Sequence, residues 1–478
     1  MKQISLLKSG LWITFSNFAK RFFALLSNLI LARLLLPSEF GVIGIAYVFW
    51  SFFTLFTQNS TGLFILYKGT DDKDYLNTSY TISLIVGVVL ALTLVALAPL
   101  IANFFHEPDL AKLLIFYAFN LVLSSNYYIY FAIMTRNMQY QELATDTMIA
   151  STTRLVFTTG AALIGMSYWS FAIGDMAFWI VGSTLARYQS GYKLRLQIVP
   201  KVRAEVISYC IGAVGSSFGF YANSNLDNFT VGKLLGKTSL GYYNLAYQLS
   251  MALSTILNPV ISMLGTPIFA QLPDEQQQQE ALFKVTEQIA FLATPLYALI
   301  FLIIDEHVIT IVFGQNWIPV TPVLPWLLVS AYFRTINNPL KSMLSAKGLP
   351  GINARVNLVI APIAVLGFVV GAQQGGILGV AIAAAVILGF VWTTYWWWVG
   401  CRALGWSIKQ FLVPCLQPVM LALPAFAISF SLPAILRAFV FILFYFVCVR
   451  LVAPSQFGKY HQLVIKMTKH LTKISIIR

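Results

Sequence analysis

The segment Leu26-Ser-Asn-Leu-Ile-Leu-Ala-Arg-Leu-Leu-Leu-Pro-Ser-Glu-Phe-Gly-Val-Ile-Gly-Ile-Ala-Tyr47 occurs a second time in the chain, 200 positions later. The second copy reads Leu226-Asp-Asn-Phe-Thr-Val-Gly-Lys-Leu-Leu-Gly-Lys-Thr-Ser-Leu-Gly-Tyr-Tyr-Asn-Leu-Ala-Tyr247. The copies align without a gap, and the matched pairs include Asn28 with Asn228, Gly41 with Gly241, and Tyr47 with Tyr247. A repeat with so long a period in a hydrophobic chain predicts a duplicated helical bundle.

The composition is that of a membrane protein. Of the 478 residues, 58% are hydrophobic and only 10% are charged, whereas soluble proteins carry about 25% charged residues. Apolar runs of about 20 residues recur along the whole chain, as expected of transmembrane helices. The predicted fold class is therefore an all-α, polytopic membrane protein. The formal net charge of +14 is attributed to cytoplasmic loops and interior cations, so no nucleic-acid partner is expected.

The apolar runs predict fourteen transmembrane helices, arranged as two pseudo-symmetric six-helix lobes plus two extra C-terminal helices. The predicted spans are 11–36, 40–66, 77–104, 110–134, 143–165, 168–188, 206–235, 239–270, 283–313, 320–344, 353–372, 376–400, 408–430 and 432–452. The predicted units are the N-lobe (1–190), a basic cytoplasmic linker (191–205), the C-lobe (206–400), the two extra helices (401–453) and a basic cytoplasmic tail (454–478).

The distribution of basic residues predicts the orientation. With the N-terminus inside, 22 of the 31 Lys and Arg residues fall in segments on the cytoplasmic side, as the positive-inside rule requires. Both termini are therefore predicted to be cytoplasmic. The basic tail is expected to lie on the anionic inner leaflet. Since the linker separates spans six and seven, both repeat copies run in the same direction through the membrane.

Two parts of the repeat carry a family resemblance. Ala32-Arg-Leu-Leu-Leu-Pro-Ser-Glu-Phe-Gly41, and Asp227-Asn-Phe-Thr-Val-Gly-Lys-Leu-Leu-Gly236 with the following Leu240-Gly-Tyr-Tyr-Asn-Leu-Ala-Tyr247, resemble bacterial polysaccharide-transport proteins. These are Wzx-type flippases of the multidrug/oligosaccharidyl-lipid/polysaccharide exporter superfamily, and the branch resembled exports colanic-acid-like exopolysaccharides. The repeat itself is interpreted as architectural, a turn between two long helices.

The resemblance implies a substrate and a location. The substrate would be an undecaprenyl-pyrophosphate-linked oligosaccharide, moved from the cytoplasmic to the periplasmic leaflet for capsule, exopolysaccharide or O-antigen synthesis. The protein would sit in the bacterial inner membrane, without a cofactor beyond a coupling H⁺ or Na⁺, and polysaccharide polymerase machinery is a candidate partner.

Several predicted helices carry a polar face in an otherwise apolar span. The cations that lie well inside spans, away from the span ends, are Lys20, Arg21, Arg154 and Arg334. A charged group there costs about 2.5–3.5 kcal/mol on insertion scales unless it faces water or a partner. The guanidinium fork suits phosphate, and amides suit sugars. The candidate substrate-binding residues are Lys20, Arg21, Arg154, Arg334, Asn28, Asn228 and Asn337.

Three carboxylates allow a second role for the interior charges. Asp175, Asp227 and Glu287 are candidate ion-coupling residues, because a buried carboxylate changes charge when it binds a proton or a cation. The alternative is that they form structural salt bridges with the cations.

Three functions are compatible with these sequence features. The first is a lipid-linked oligosaccharide flippase that works by alternating access. The second is an ion-coupled multidrug cation antiporter of the same two-lobe fold, which would favour acidic rather than basic cavity residues. The third is a membrane enzyme. No nucleophile–base pair, metal motif or long outer loop supports catalysis, so a non-enzyme is predicted. The four cysteines form no CxxC pair and the four histidines are scattered, so no metal site is expected.

Overall fold

The computed structural model describes residues 2–58, 61–349 and 351–458. Within those ranges the secondary structure is helical and contains no β-strand. The α-helices are α1 (Lys2–Leu34), α2 (Pro37–Gln58), α3 (Thr61–Lys68), α4 (Lys73–Phe105), α5 (Asp109–Arg136), α6 (Tyr140–Leu163), α7 (Trp169–Gln189), α8 (Pro200–Gln271), α9 (Glu275–Ile303), α10 (Glu306–Val312), α11 (Leu324–Ile336), α12 (Asn338–Ala346), α13 (Gly351–Ala383), α14 (Trp392–Leu404), α15 (Lys409–Ser429) and α16 (Ala434–Val452). A 3₁₀ helix (Gln315–Val320) follows α10, and a π-helix (Ala384–Val391) precedes α14.

Each of the fourteen predicted spans overlaps helix, but the helices are divided differently. Predicted spans 206–235 and 239–270 belong to one long helix, α8, which bends at Gly236. Gly236 has φ 81° and ψ 176°, a conformation that glycine adopts without the steric cost of a Cβ atom. A single glycine therefore replaces the predicted turn. Predicted span 320–344 is instead broken into α11 and α12 at Asn337.

Within the described residues, six stretches are long and apolar enough to cross a membrane: Pro37–Lys68, apart from residues 59 and 60, Lys73–Phe105, Asp109–Arg136, Glu275–Ile303, Gly351–Leu404 and Lys409–Ser429. The prediction of an all-helical, polytopic membrane protein is thus confirmed. The count of fourteen spans stays a prediction.

The helices form two lobes. We call α1–α7 the N-lobe and α8–α14 the C-lobe. In the N-lobe α1 packs against α6, and in the C-lobe α8 packs against α13. The two repeat copies occupy equivalent positions in the two lobes. Helices α15 and α16 pack on α9 at the side of the C-lobe, where buried Phe291, Phe441 and Tyr445 form a separate apolar cluster.

The two repeat copies pack against each other. A Cβ atom at Gly41 would overlap the backbone carbonyl of Lys237, and one at Gly241 would overlap that of Pro37. The two contacts are reciprocal, because each glycine of one copy meets the backbone of the other copy. The missing side chains let α2 and α8 approach to backbone distance. The repeat is therefore the place where the lobes join.

Polar contacts at the same end also cross between the lobes in matched pairs. The Arg33 Nε donates to the Val312 carbonyl at 2.8 Å, and the Lys233 Nζ donates to the Phe104 carbonyl at 2.5 Å. Both carbonyls lie in the last turn of a helix, where a cation is favoured by about 0.3–1 kcal/mol. The indole N–H of fully buried Trp317 donates to a carbonyl of α1 at 2.7 Å. We call this joined region the closed end.

Away from the closed end, the buried apolar residues divide by lobe. One cluster of buried residues is confined to the C-lobe and α15, and another to the N-lobe. The start of α8 is an exception, since Lys68 Nζ contacts the Glu205 carboxylate at 2.8 Å and ties α8 to α3. Between these separately packed parts lies the interior that holds the candidate site.

Candidate substrate cavity

A cavity of about 370 Å³, which we call the N-lobe cavity, is lined by the N-lobe and by Asn225 of α8. Three of the predicted cations, Lys20, Arg21 and Arg154, line it together with Asp175. Trp50, Phe178 and Trp179 contribute aromatic walls, and Ser27, Ser51, Ser151 and Asn225 contribute polar groups. The side chains of Lys20 and Arg21 are exposed in this space. The cations of predicted spans 11–36 and 143–165 therefore converge on one cavity.

Arg154 is held in a buried network. Its Nε lies 2.6 Å from Asp175 Oδ1, and its Nη2 donates to the Tyr47 hydroxyl at 3.1 Å. The hydroxyls of Tyr47 and Tyr117 donate to Asp175 Oδ2 at 2.6 and 2.7 Å. Asp175 thus compensates the Arg154 charge and fixes its position. Of the two roles predicted for Asp175, the salt-bridge geometry is the one seen.

A second cavity, of about 460 Å³, lies within the C-lobe. Arg334, Lys341 and Arg21 line it. Its remaining polar lining is rich in amides and hydroxyls: Asn258, Asn337, Asn338, Asn353, Asn357, Ser224, Ser254, Thr255 and Ser262.

The C-lobe cavity reproduces one feature of the N-lobe network. The Arg334 Nη1 donates to the Tyr247 hydroxyl at 3.0 Å, as Arg154 does to Tyr47. Since Tyr47 and Tyr247 are the matched last residues of the repeat, both copies supply a partner to a cavity arginine. Behind this pair, the Tyr243 hydroxyl donates to Asp227 Oδ2 at 3.0 Å.

Arg21 borders both cavities. It therefore connects the two lobes into one cationic interior. Of the described residues that line this interior, five are Lys or Arg and one, Asp175, is a carboxylate. An interior of this charge attracts anions and disfavours organic cations.

The wall of the C-lobe cavity includes the break between α11 and α12. Asn337 is buried there, and its side chain is bonded to α14: its Nδ2 donates to Thr393 Oγ1 at 2.8 Å, and its Oδ1 accepts from Trp397 Nε1 at 2.9 Å. Trp396 and Trp397 are 1% and 0% exposed. Of the three consecutive tryptophans 396–398, only Trp398 is exposed.

Four predicted site residues line neither cavity: Asn28, Asn228, Asp227 and Glu287. The Asn28 amide donates to Gln248 across the lobe interface. Buried Asn228 donates from its backbone N–H to Asp227 Oδ1 at 2.8 Å. Glu287 lies in a separate cleft with Glu275, Glu280 and Trp406 at the start of α9. The structure thus brings together Lys20, Arg21, Arg154, Arg334, Asn337 and Asp175, with Asp227 behind the wall.

Two features of the interior were not predicted from the sequence. Tyr47 and Tyr247 were assigned to an architectural motif, although their equivalence in the repeat was visible. Asp146, in α6, is 1% exposed, and neither of its carboxylate oxygens has a hydrogen-bond partner among the described residues. The sequence could have indicated Asp146, because it lies two helical turns before Arg154 on the same helix.

The fold is that of a two-lobe membrane transporter. The chain matches a solved structure of the lipid II flippase MurJ in an inward closed conformation with a TM-score of 0.74, at 13% identity, over 93% of this chain and 99% of that one. It matches an inward-facing multidrug resistance MATE family transporter with a TM-score of 0.60, at 14% identity, over 84% of this chain and 98% of that one.

The family follows from the sequence comparison. Residues 30–322 match the family model described as polysaccharide biosynthesis protein, and the chain belongs to this family. The resemblance seen in the repeat is thereby confirmed. Similar proteins include the lipopolysaccharide biosynthesis protein WzxC of Escherichia coli K12, 24% identical over 85% of this chain and 83% of that protein. Another is the teichuronic acid biosynthesis protein TuaB of Bacillus subtilis 168, 24% identical over 68% of each chain.

Proposed function

We propose that the protein flips an undecaprenyl-pyrophosphate-linked oligosaccharide from the cytoplasmic to the periplasmic leaflet of the bacterial inner membrane. The observation that carries the proposal is the cationic interior that Arg21 joins across both lobes. Its occurrence in a member of the polysaccharide biosynthesis family supports a polysaccharide precursor as the substrate.

The interior suits the charged part of such a lipid. A diphosphate must leave water to cross the membrane, which is costly unless cationic donors replace its hydration. Lys20 and Arg21 are exposed in the N-lobe cavity, and we assign them as the main diphosphate ligands. The charge of Arg154 is already compensated by Asp175, so Arg154 is assigned a secondary role in binding the diphosphate. The polyprenyl chain remains in the bilayer beside the protein.

Alternating access follows from the closed end. With both termini cytoplasmic, the joined repeat copies face the periplasm, and the cavity loads from the cytoplasm. Rocking of the N-lobe (1–190) against the C-lobe (206–400) separates Gly41 from Lys237 and releases the headgroup outward. The linker 191–205 spans the two lobes.

The remaining parts of the proposal concern coupling and partners. An H⁺ or Na⁺ gradient acts through Asp175 or Asp227, the interior carboxylates next to the cavity arginines. The basic tail binds anionic lipids; its residues 459–478 lie outside the described part of the chain. The exported unit is handed to polymerase machinery, and the protein itself performs no catalysis. The multidrug antiporter alternative is weaker, because the lining is cationic and the MATE match has the lower TM-score.

The proposal is tested in a strain whose copy of the gene is deleted. Lys20→Ala and Arg21→Ala are expected to fail to restore surface polysaccharide and to leave the lipid-linked repeat unit accumulated, with normal protein levels. Lys193→Ala is the matched control, since Lys193 is an exposed cation outside the cavities. Full restoration by both cavity variants would contradict the proposal.

A further inference from the structure

The two cavities differ in chemistry, and the difference divides the substrate between the lobes. Resting on the proposed function, we propose that the C-lobe cavity recognises the sugars while the N-lobe cavity holds the diphosphate. The headgroup then bridges the lobes, with Arg21 at the junction.

Amide content is the first observation. Five asparagines line the C-lobe cavity, and one, Asn225, lines the N-lobe cavity. An amide both donates and accepts, and so does a sugar hydroxyl. Each cavity is lined by three Lys or Arg residues, but those of the N-lobe cavity lie in a smaller volume with fewer amides, which suits a compact anion.

Two buried lining atoms are the second, independent observation. The Asn258 Oδ1 and the Trp392 Nε1 are inaccessible polar atoms without a hydrogen-bond partner among the described residues. Buried polar groups almost always have a hydrogen-bond partner, and a buried group left without one costs about 1–3 kcal/mol. One is an acceptor and the other a donor, so a rotation of either side chain toward the cavity on binding would let a sugar hydroxyl supply the missing hydrogen bond. Asn258 is also fixed in place, because its backbone carbonyl accepts from Asn338 Nδ2 at 2.7 Å.

The shape of the wall is the third observation. Trp392 stacks on Trp396 with an interplanar angle of 17°, which presents a flat aromatic surface beside the amides. Next to it, α11 and α12 meet at Asn337, whose backbone carbonyl accepts from Trp396 Nε1 at 3.4 Å. The backbone at Asn337 stays helical (φ −74°, ψ −15°), so the two helices meet at a kink and keep the Asn337 and Asn338 amides beside the aromatic surface.

Binding of two probes to the purified full-length chain in nanodiscs separates the subsites. One probe is undecaprenyl diphosphate, and the other is the undecaprenyl-diphosphate-linked repeat unit extracted from the deletion strain. Asn258→Ala and Trp392→Phe are each expected to weaken binding of the glycolipid by about two- to tenfold, the value of one hydrogen bond. Neither should change binding of the bare diphosphate lipid. Trp392→Phe keeps one aromatic ring and removes the indole N–H together with part of the stacking surface.

Trp398→Phe, an exposed tryptophan on the same helix outside the C-lobe cavity, should leave both affinities unchanged, and Lys20→Ala should weaken both. If the two C-lobe variants weaken both probes alike, or neither, the division into subsites is wrong. If the wild-type chain binds neither probe, the proposed function itself fails. Unfolding midpoints of all variants in nanodiscs show that each is folded.

Discussion

The reciprocal glycine contact between the repeat copies predicts how the closed end can be opened. In Gly41→Ala the added methyl group would overlap the backbone carbonyl of Lys237, which cannot rotate away as a side chain does. Overpacking of this kind costs about 1–3 kcal/mol. The contact crosses between the lobes, so the cost applies only when this end is closed. The higher helix propensity of alanine acts in both states and cancels. The closed-to-open ratio should therefore fall by about 5- to 150-fold.

The assay is the distance across the closed end. Nitroxide labels at His106→Cys and His307→Cys, with the four native cysteines replaced, are expected to show a longer-distance population in Gly41→Ala than in the parent. Gly160→Ala is the matched control, because no atom lies within 4 Å of the Cβ it would add. A distance distribution unchanged by Gly41→Ala would refute the reasoning.

Two further predictions concern the arginine networks. Arg154→Ala and Arg334→Ala should each reduce polysaccharide export, because each removes a cavity cation; surface polysaccharide per unit of membrane-inserted protein measures this, and full export by both would contradict the cationic-cavity account. Asp175→Asn should destabilise the protein by less than the about 3–5 kcal/mol of a fully buried pair, since it removes the counter-charge of Arg154, whose side chain is 23% exposed. The unfolding midpoint in detergent checks this, and the Asp175→Asn, Arg154→Ala double variant should recover part of the loss.

Much of the fold was predictable because it depends on hydrophobicity and symmetry. The repeat predicted two related lobes, and the structure shows that its glycines form the contact between them. The helix divisions were less predictable. A bend at one glycine, Gly236, and a break at Asn337 both depend on local backbone conformation, which hydropathy does not encode.

The charged residues of the candidate site could be predicted from the sequence, whereas the side chains that contact them could not. Lys20, Arg21, Arg154 and Arg334 were identified because an interior cation is costly and needs a reason. Which groups surround them is a matter of tertiary packing. Glu287 falls within an apolar predicted span, as an interior residue would, but it lies in a cleft separate from the two cavities. The tyrosines of the repeat could be placed beside the arginines only from the three-dimensional structure.

Transport by the purified protein tests the central claim most directly. The full-length chain is reconstituted in liposomes with the labelled undecaprenyl-diphosphate-linked repeat unit, and the fraction of sugar exposed to an impermeant oxidant is followed over time. We predict that the wild-type chain transfers the lipid between leaflets and that Arg21→Ala abolishes this transfer at equal reconstitution. Transfer no faster than in protein-free liposomes, or transfer unaffected by Arg21→Ala, would contradict the account.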